Sequence, residues 1–201
     1  PWMRRSSSHV APSLRSTGSG ATPCPTPMGP WSQVEATGVA RLDFATPLPA
    51  GKATLLFDYD AAFGDGPAGL YRIKVADQWY AWTQFQSIDA RAAFPSFDQP
   101  GYKTPFTVSL TTRPGYTAVS NTRDIRKTKV GDLVRHDFEP TKPLPTYLVA
   151  FVVGPYATAS GSVAPTPQRK TPLPLGVVGT QPYKDKLDLA LENSKPIVGL
   201  L

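Results

Sequence analysis

Short apolar runs of two-residue period, set apart by Gly, Pro, Asn and Asp, fill the chain from Trp31 to about residue 160. Side chains on an extended strand point alternately to opposite faces, so this period predicts half-buried β-strands. Residues 38–44 alternate with one slip, and residues 52–59 follow after turn material at 47–51. Residues 70–75 and 79–85 flank Asp77 and read as a hairpin whose second arm is aromatic. Residues 106–110 and 117–120 lie on either side of the turn at 113–115, and 130–138 is a further candidate strand. Residues 147–153 are apolar without interruption, which predicts a strand covered on both faces.

Helical signals are few. Ser87 is a candidate cap for a short helix or turn over 87–93, and two prolines keep 94–101 from being helical. Residues 160–174 return to Pro, Ser and Thr and read as a linker or long exposed loop, followed by a short strand at 175–178. Residues 183–192 predict an amphipathic helix with Leu187, Ala190 and Leu191 on one face, interrupted at Asn193-Ser-Lys-Pro196. At the other end, residues 1–33 lack apolar periodicity, and most of the first thirty are Pro, Ser, Thr or Gly. Such a segment buries too little apolar area to offset its ordering entropy. It is expected to be disordered or non-native. The expected organisation is a tail at 1–33, a β-domain at 34–160, a linker or loop at 161–174 and a distinct stretch at 175–201.

Composition agrees with an all-β fold. The 201 residues include 23 Pro and 16 Gly, which suits many turns and argues against a helical bundle. No apolar run approaches the ~20 residues of a membrane-spanning helix. The single cysteine, Cys24, excludes an intrachain disulfide framework and a Cys-rich zinc site, and leaves the compartment undecided. The net charge of +6 is concentrated in the tail (Arg4, Arg5, Arg15) and in Arg123, Arg126, Lys127, Lys129 and Arg135. The second cluster is broken by Asp124, Asp132 and Asp137 and has no interleaved aromatic, so it predicts a solvated surface and not a nucleic-acid site.

Chemistry is sparse. There is no His-Glu-x-x-His, no Gly-x-Ser-x-Gly and no Gly-x-x-x-x-Gly-Lys. His9 and His136 stand far apart, and His136 is expected at the surface, with a weakly held metal beside Asp137 and Glu139 as the lesser alternative. No catalytic residue and no metal ligand is assigned in this chain. Gln84 and Gln86 share one face of the aromatic strand, where the residues alone favour bonds to neighbouring backbone.

One ordered set of motifs says more. It runs Leu70-Tyr-Arg, Trp82-Thr-Gln-Phe-Gln86, Asp89-Ala-Arg91, Phe94-Pro-Ser-Phe-Asp-Gln-Pro100 and Lys103-Thr-Pro-Phe106. It continues with Pro143-Leu-Pro-Thr-Tyr-Leu-Val-Ala-Phe-Val-Val-Gly154 and Ala190-Leu-Glu-Asn193. The set resembles the N-terminal domain of the M1 family of zinc aminopeptidases, aminopeptidase N type, over about residues 34–201. The resemblance implies a saddle-shaped or sandwich-like all-β domain, with a short C-terminal helix from the start of a thermolysin-like zinc domain at 175–201. The zinc ligands, general base and exopeptidase motif of the family would follow Leu201. This chain would then hold no cofactor itself, with zinc in the full-length parent. Its expected partners are the missing catalytic domain and, in the full enzyme, a peptide N-terminus.

The resemblance also implies two substrate-binding positions. In the family a Thr-Gln-Phe-Glu strand supplies a Glu that holds the substrate's α-amino group and a Gln that lines the first side-chain pocket. Those places are Gln86 and Gln84. Gln86 departs from the usual Glu: it keeps a carbonyl acceptor and loses the charge that strengthens a bond to an ammonium. Asp89, Arg91, Asp98 and Lys103 are expected to form ion pairs that shape the Pro-rich loop. Trp79, Tyr80, Trp82, Phe85, Phe94 and Phe97 are expected in packing. The rival expectations are a stand-alone β-sandwich module that binds peptide or carbohydrate, and a structural domain that pairs with a separate catalytic chain.

Overall fold

The computed structural model describes residues 13–15, 28–47 and 50–200, with side chains from Trp31 onward. Most of the expected tail, including Cys24 and His9, therefore lies outside the described residues. The strands are β1 (Ser13–Arg15), β2 (Met28–Gln33), β3 (Ala40–Phe44), β4 (Thr54–Leu56), β5 (Gly69–Val75), β6 (Gln78–Gln84) and β7 (Ser109–Thr112). They continue as β8 (Thr117–Ser120), β9 (Asp124–Val130), β10 (Leu133–Phe138), β11 (Phe151–Gly154), β12 (Ala157–Val163) and β13 (Leu173–Gly179). One α-helix, α1 (Leu187–Gly199), closes the described chain, so the fold is all-β with a short C-terminal helix. No helix among the described residues is long and apolar enough to cross a membrane.

The chain forms two compact units. The first comprises the described part of Pro1–Ala62 together with Arg91–Ser96. Here β2 pairs with β3 and β1 with β4, all antiparallel. Met28–Gln33 thus joins a strand where a formless tail is expected. Gly38 takes a φ of +93° in the turn between β2 and β3, a conformation open to glycine.

The second unit comprises Phe63–Ala90 and Phe97–Leu201. Its largest sheet has the order β5-β6-β11-β8, and a three-stranded sheet has the order β7-β10-β9. The β5–β6 hairpin is the expected one, from Gly69 opposite Gln84 to Val75 opposite Gln78. Its turn holds Ala76 and Asp77 at φ +47° and +64°. Tyr80 and Phe85 are the largest fully buried side chains and form the centre of the core. Tyr156 joins them, its ring 4.8 Å from Tyr80 and 5.5 Å from Trp82. Burial pushes the Tyr156 hydroxyl well above the usual phenol range.

Three segments differ from their sequence pattern. The apolar run 147–153 is not one strand. Residues Thr146–Leu148 form a 3₁₀ turn after Pro145, and only Phe151–Gly154 pairs, with Val119 opposite Val152. An apolar run fixes burial better than it fixes backbone shape, and Leu148 is in fact exposed. The supposed linker carries the end of β12 and the start of β13, which pair from Ala157 opposite Gly179 to Val163 opposite Leu173. The C-terminal helix starts later and runs through Pro196 to Gly199, after a 3₁₀ turn at Gln181–Lys186. Leu187 and Leu191 are its buried contacts, and Ala190 faces solvent. Leu187 lies against Gly179 and Leu191 against Gly161, so small residues on the hairpin seat the helix.

The three-stranded sheet carries charge on both faces. On one face Asp137 accepts hydrogen bonds from Ser109 at 2.7 Å, from Arg135 at 2.7 Å and from Arg126 at 2.9 Å. These donors hold the Asp137 carboxyl down at about 2. A carboxyl with a depressed native pKa contributes stability that is present above the unfolded value of ~3.9 and is lost as pH falls through the native value. The urea midpoint of the chain is therefore expected to drop between about pH 4 and pH 2, and Asp137→Asn should shrink that drop. Midpoints measured for both proteins across this window decide the matter. Parallel curves would mean that the cluster does not stabilise the fold.

Candidate substrate-anchoring strand

Strand β6 and the two residues after it place the glutamines. Tyr80 and Ala81 are buried, Gln84 is exposed, Phe85 is buried and Gln86 is exposed. The two-residue period at 84–86 sets both amides on the side opposite the Phe85 ring. Phe85 is 1% exposed and its ring lies 6.2 Å from that of Phe151. Thr83 ties the same place to β11: its hydroxyl donates to the Phe151 carbonyl at 3.2 Å and accepts from the Phe151 N–H at 2.9 Å. The peptide bond from Gln86 to Ser87 is cis. The Asp89 N–H then bonds back to the Phe85 carbonyl at 3.0 Å, and a 3₁₀ turn follows at Asp89–Ala92.

The result is a short outward ledge on a fixed base. Gln84 and Gln86 each offer a carbonyl acceptor and an amide donor to solvent. A neutral carbonyl ledge of this kind suits an ammonium or an amide N–H.

The other motif residues serve the scaffold. Asp98 is buried and accepts from the Thr146 hydroxyl at 2.5 Å, which joins the Pro-rich loop to the 3₁₀ turn at Thr146–Leu148. Within the first unit Arg91 donates to the Thr37 carbonyl at 3.2 Å. A carboxylate and a threonine 48 positions apart carry no local pattern that would announce their meeting. Trp79 carries the Arg72 guanidinium over its ring at 4.5 Å, with Phe63 at 5.5 Å from the same cation. Phe97 is 78% exposed, with Tyr102 edge-on at 6.2 Å.

His136 is not a surface residue. It is 4% exposed, with Nδ1 2.7 Å from Asp124 and Nε2 3.4 Å from the Thr112 hydroxyl. Asp137 and Arg135 point to the opposite face, as strand alternation requires. No group of three or more His, Cys, Asp or Glu able to hold a metal ion stands together among the described residues. The described side chains do not fit a zinc site, and no chemistry on them is routed through a metal.

The fold defines a class: a β-domain of antiparallel sheets with a short helix at its C-terminal side. The chain belongs to the Peptidase M1 N-terminal domain family, whose model matches residues 30–148. It is 38% identical over 118 residues to the probable M1 family aminopeptidase 1 of Encephalitozoon cuniculi, covering 58% of this chain and 14% of that protein. It is 31% identical over 173 residues to aminopeptidase M1-D of Oryza sativa subsp. japonica, covering 78% of this chain and 20% of that protein. It is 33% identical over 123 residues to endoplasmic reticulum aminopeptidase 1 of Mus musculus, covering 58% and 13%. The chain spans a fifth or less of the length of each of these relatives. The family match begins at residue 30, inside β2, in keeping with the pairing of that strand.

Proposed function

We propose that this chain is the β-domain portion of an M1-type zinc aminopeptidase, an enzyme that removes N-terminal residues from peptides with a zinc-activated water. In this reading the chain is inactive alone, residues 175–201 begin the catalytic domain, and that domain is its partner. Gln86 accepts a hydrogen bond from the substrate's α-ammonium, and Gln84 lines the pocket for the first side chain. The observation that carries the reading is the ledge itself: two exposed amides either side of a fully buried Phe85, within the stretch matched by the family. Metal and general base lie outside this chain, so its residues bind and orient and do not move protons.

The test is Gln86→Glu in the full-length aminopeptidase. A charge-assisted hydrogen bond is roughly twice as strong as a neutral one, a gain of ~1 kcal/mol. KM for a peptide substrate is expected to fall by about fivefold. An unchanged KM would remove Gln86 from the role. A second reading, a stand-alone peptide- or carbohydrate-binding module, draws on the exposed Phe97–Tyr102 ring pair. It predicts saturable binding by this chain alone that Phe97→Ala abolishes and Gln86→Ala leaves intact.

A further inference from the structure

Asp65 is the one aspartate of the sequence that is followed by a glycine. Asp65-Gly66 lies in the loop that enters β5, within the second unit, and both residues are exposed, as is Pro67.

The base of this loop is fixed. The Gly64 N–H donates to the Leu70 carbonyl at 2.7 Å, and an isolated bridge joins Gly64 to Tyr71. A Cβ at Gly64 would meet the carbonyl oxygens of Ala68 at 3.2 Å, Leu70 at 3.6 Å and Gly66 at 3.7 Å, so the chain folds back closely over this glycine. On the far side the Ala68 N–H donates to the Gly66 carbonyl at 2.8 Å, across Pro67. Such a three-residue turn suits the fixed φ of proline. Asp65 and the Gly66 nitrogen stand between these anchors, at the tip. The space beside Gly66 is open: a Cβ added there would meet nothing within 4 Å.

A main-chain nitrogen attacks the side-chain carboxyl carbon of a preceding aspartate when the backbone turns far enough to bring the two together. Glycine makes that turn at the least cost, because no Cβ restricts its φ. The anchored base and open tip give Asp65-Gly66 the room for it.

We propose that Asp65 is a site of spontaneous modification, where the chain passes through a succinimide to isoaspartate. In the first step the Gly66 nitrogen bonds to Asp65 Cγ. One carboxylate oxygen leaves as water, carrying the Gly66 amide proton and a proton from solvent. In the second step water adds to the main-chain carbonyl carbon of Asp65, and the bond from that carbon to the Gly66 nitrogen breaks. The nitrogen regains its proton, and the new α-carboxyl group returns one to solvent. The product has the composition and charge of the parent, but its main chain runs through Asp65 Cγ. Addition of water at Cγ instead restores aspartate. The site is independent of the ledge of Gln84 and Gln86 and of the aminopeptidase reading.

The experiment incubates the 201-residue chain at physiological temperature and pH and follows its tryptic peptide 53–72. Electron-transfer mass spectrometry tells isoaspartate from aspartate by cleavage between Cα and Cβ. The same peptide holds Asp58 and Asp60, followed by Tyr59 and Ala61, as internal controls. Isoaspartate is expected to accumulate at Asp65 and to stay at its starting level at Asp58 and Asp60. The rate in the folded chain is expected within about tenfold of that in the synthetic peptide 53–72, as for a tip that opens at little cost. Gly66→Ala folds as the parent does, since the added methyl enters open space. It should slow the reaction by about fivefold, the rate equivalent of the conformational freedom that alanine lacks. Accumulation at Asp65 no faster than at Asp58 and Asp60, or a Gly66→Ala chain with the parent's rate, would overturn the proposal. So would a rate in the folded chain more than about tenfold below that of the free peptide, because the fold would then hold the site closed.

Discussion

Tyr80→Ala is expected to lower the unfolding free energy of the chain by about 3–5 kcal/mol, the range for truncating a buried aromatic. Tyr80 is fully buried, with its ring 4.8 Å from Tyr156. Its hydroxyl also has work in the fold: it donates to Gln78 at 3.3 Å and accepts from the Gln181 N–H at 3.2 Å. The second bond links the first hairpin of this unit to the 3₁₀ turn that leads into α1. Tyr80→Phe separates the two contributions, because it keeps the ring and leaves the Gln181 N–H without its acceptor. That variant is expected to cost about 1 kcal/mol. Urea unfolding followed by tryptophan fluorescence reads both changes. A Tyr80→Ala protein within about 1 kcal/mol of the parent would mean that this ring is not the centre of the core.

The period of two predicts the β5–β6 hairpin and β8 from sequence, because alternation and a flanking turn are local signals. The same is true of Gln84 and Gln86, whose exposure follows from a buried Phe85 between them. Elsewhere a local signal met a non-local decision. The apolar stretch at 147–153 carries enough hydrophobicity for a strand, yet Pro145 and the bond from Thr146 to Asp98 turn its first part into a 3₁₀ element. Residues 160–163 and 173–174 have the composition of a linker, and they pair because two partners of equal length face each other across 157–179. Pro196 predicts the end of a helix, but the helix passes through it to Gly199. Leu187 and Leu191 bury their side chains on β12 and β13, and such packing outweighs the local cost of the proline.

The histidine teaches the same lesson in polar chemistry. His136 has acidic neighbours at 137 and 139, and by strand geometry Asp137 cannot meet it. Its true partner is Asp124, one strand away across a register irregularity at Asp137 and Phe138. Pairing across strands is invisible to a reading that looks only along the chain. The charge cluster at 123–135 was legible as a surface. Its division into two faces, one holding Asp137 and the other His136, needed the register.

Gly154→Ala is expected to cost about 1–3 kcal/mol by overpacking. Gly154 ends β11 in ordinary extended backbone, so the cost comes from space and not from dihedral strain. A Cβ there would stand 2.9 Å from Tyr80 Cδ1, 3.2 Å from Tyr156 Cε2 and 3.3 Å from Tyr80 Cα. The two rings press on the one residue that offers no side chain, which ties the apolar stretch around 154 to the aromatic strand. Gly176→Ala is the control, since an added Cβ there meets nothing within 4 Å. It should be neutral or stabilising by about 0.4–1 kcal/mol through the unfolded chain. The double variant carries the sharper test. Tyr80→Ala removes the ring that Gly154→Ala would strike but leaves the Tyr80 backbone and Tyr156 in place. The penalty of Gly154→Ala is therefore expected to shrink without vanishing, with a coupling of at least about 0.5 kcal/mol in the cycle. Additive costs would mean that the sheet yields at Gly154 by a backbone shift, and that the close approach of Tyr80 to β11 is not what excludes a side chain there.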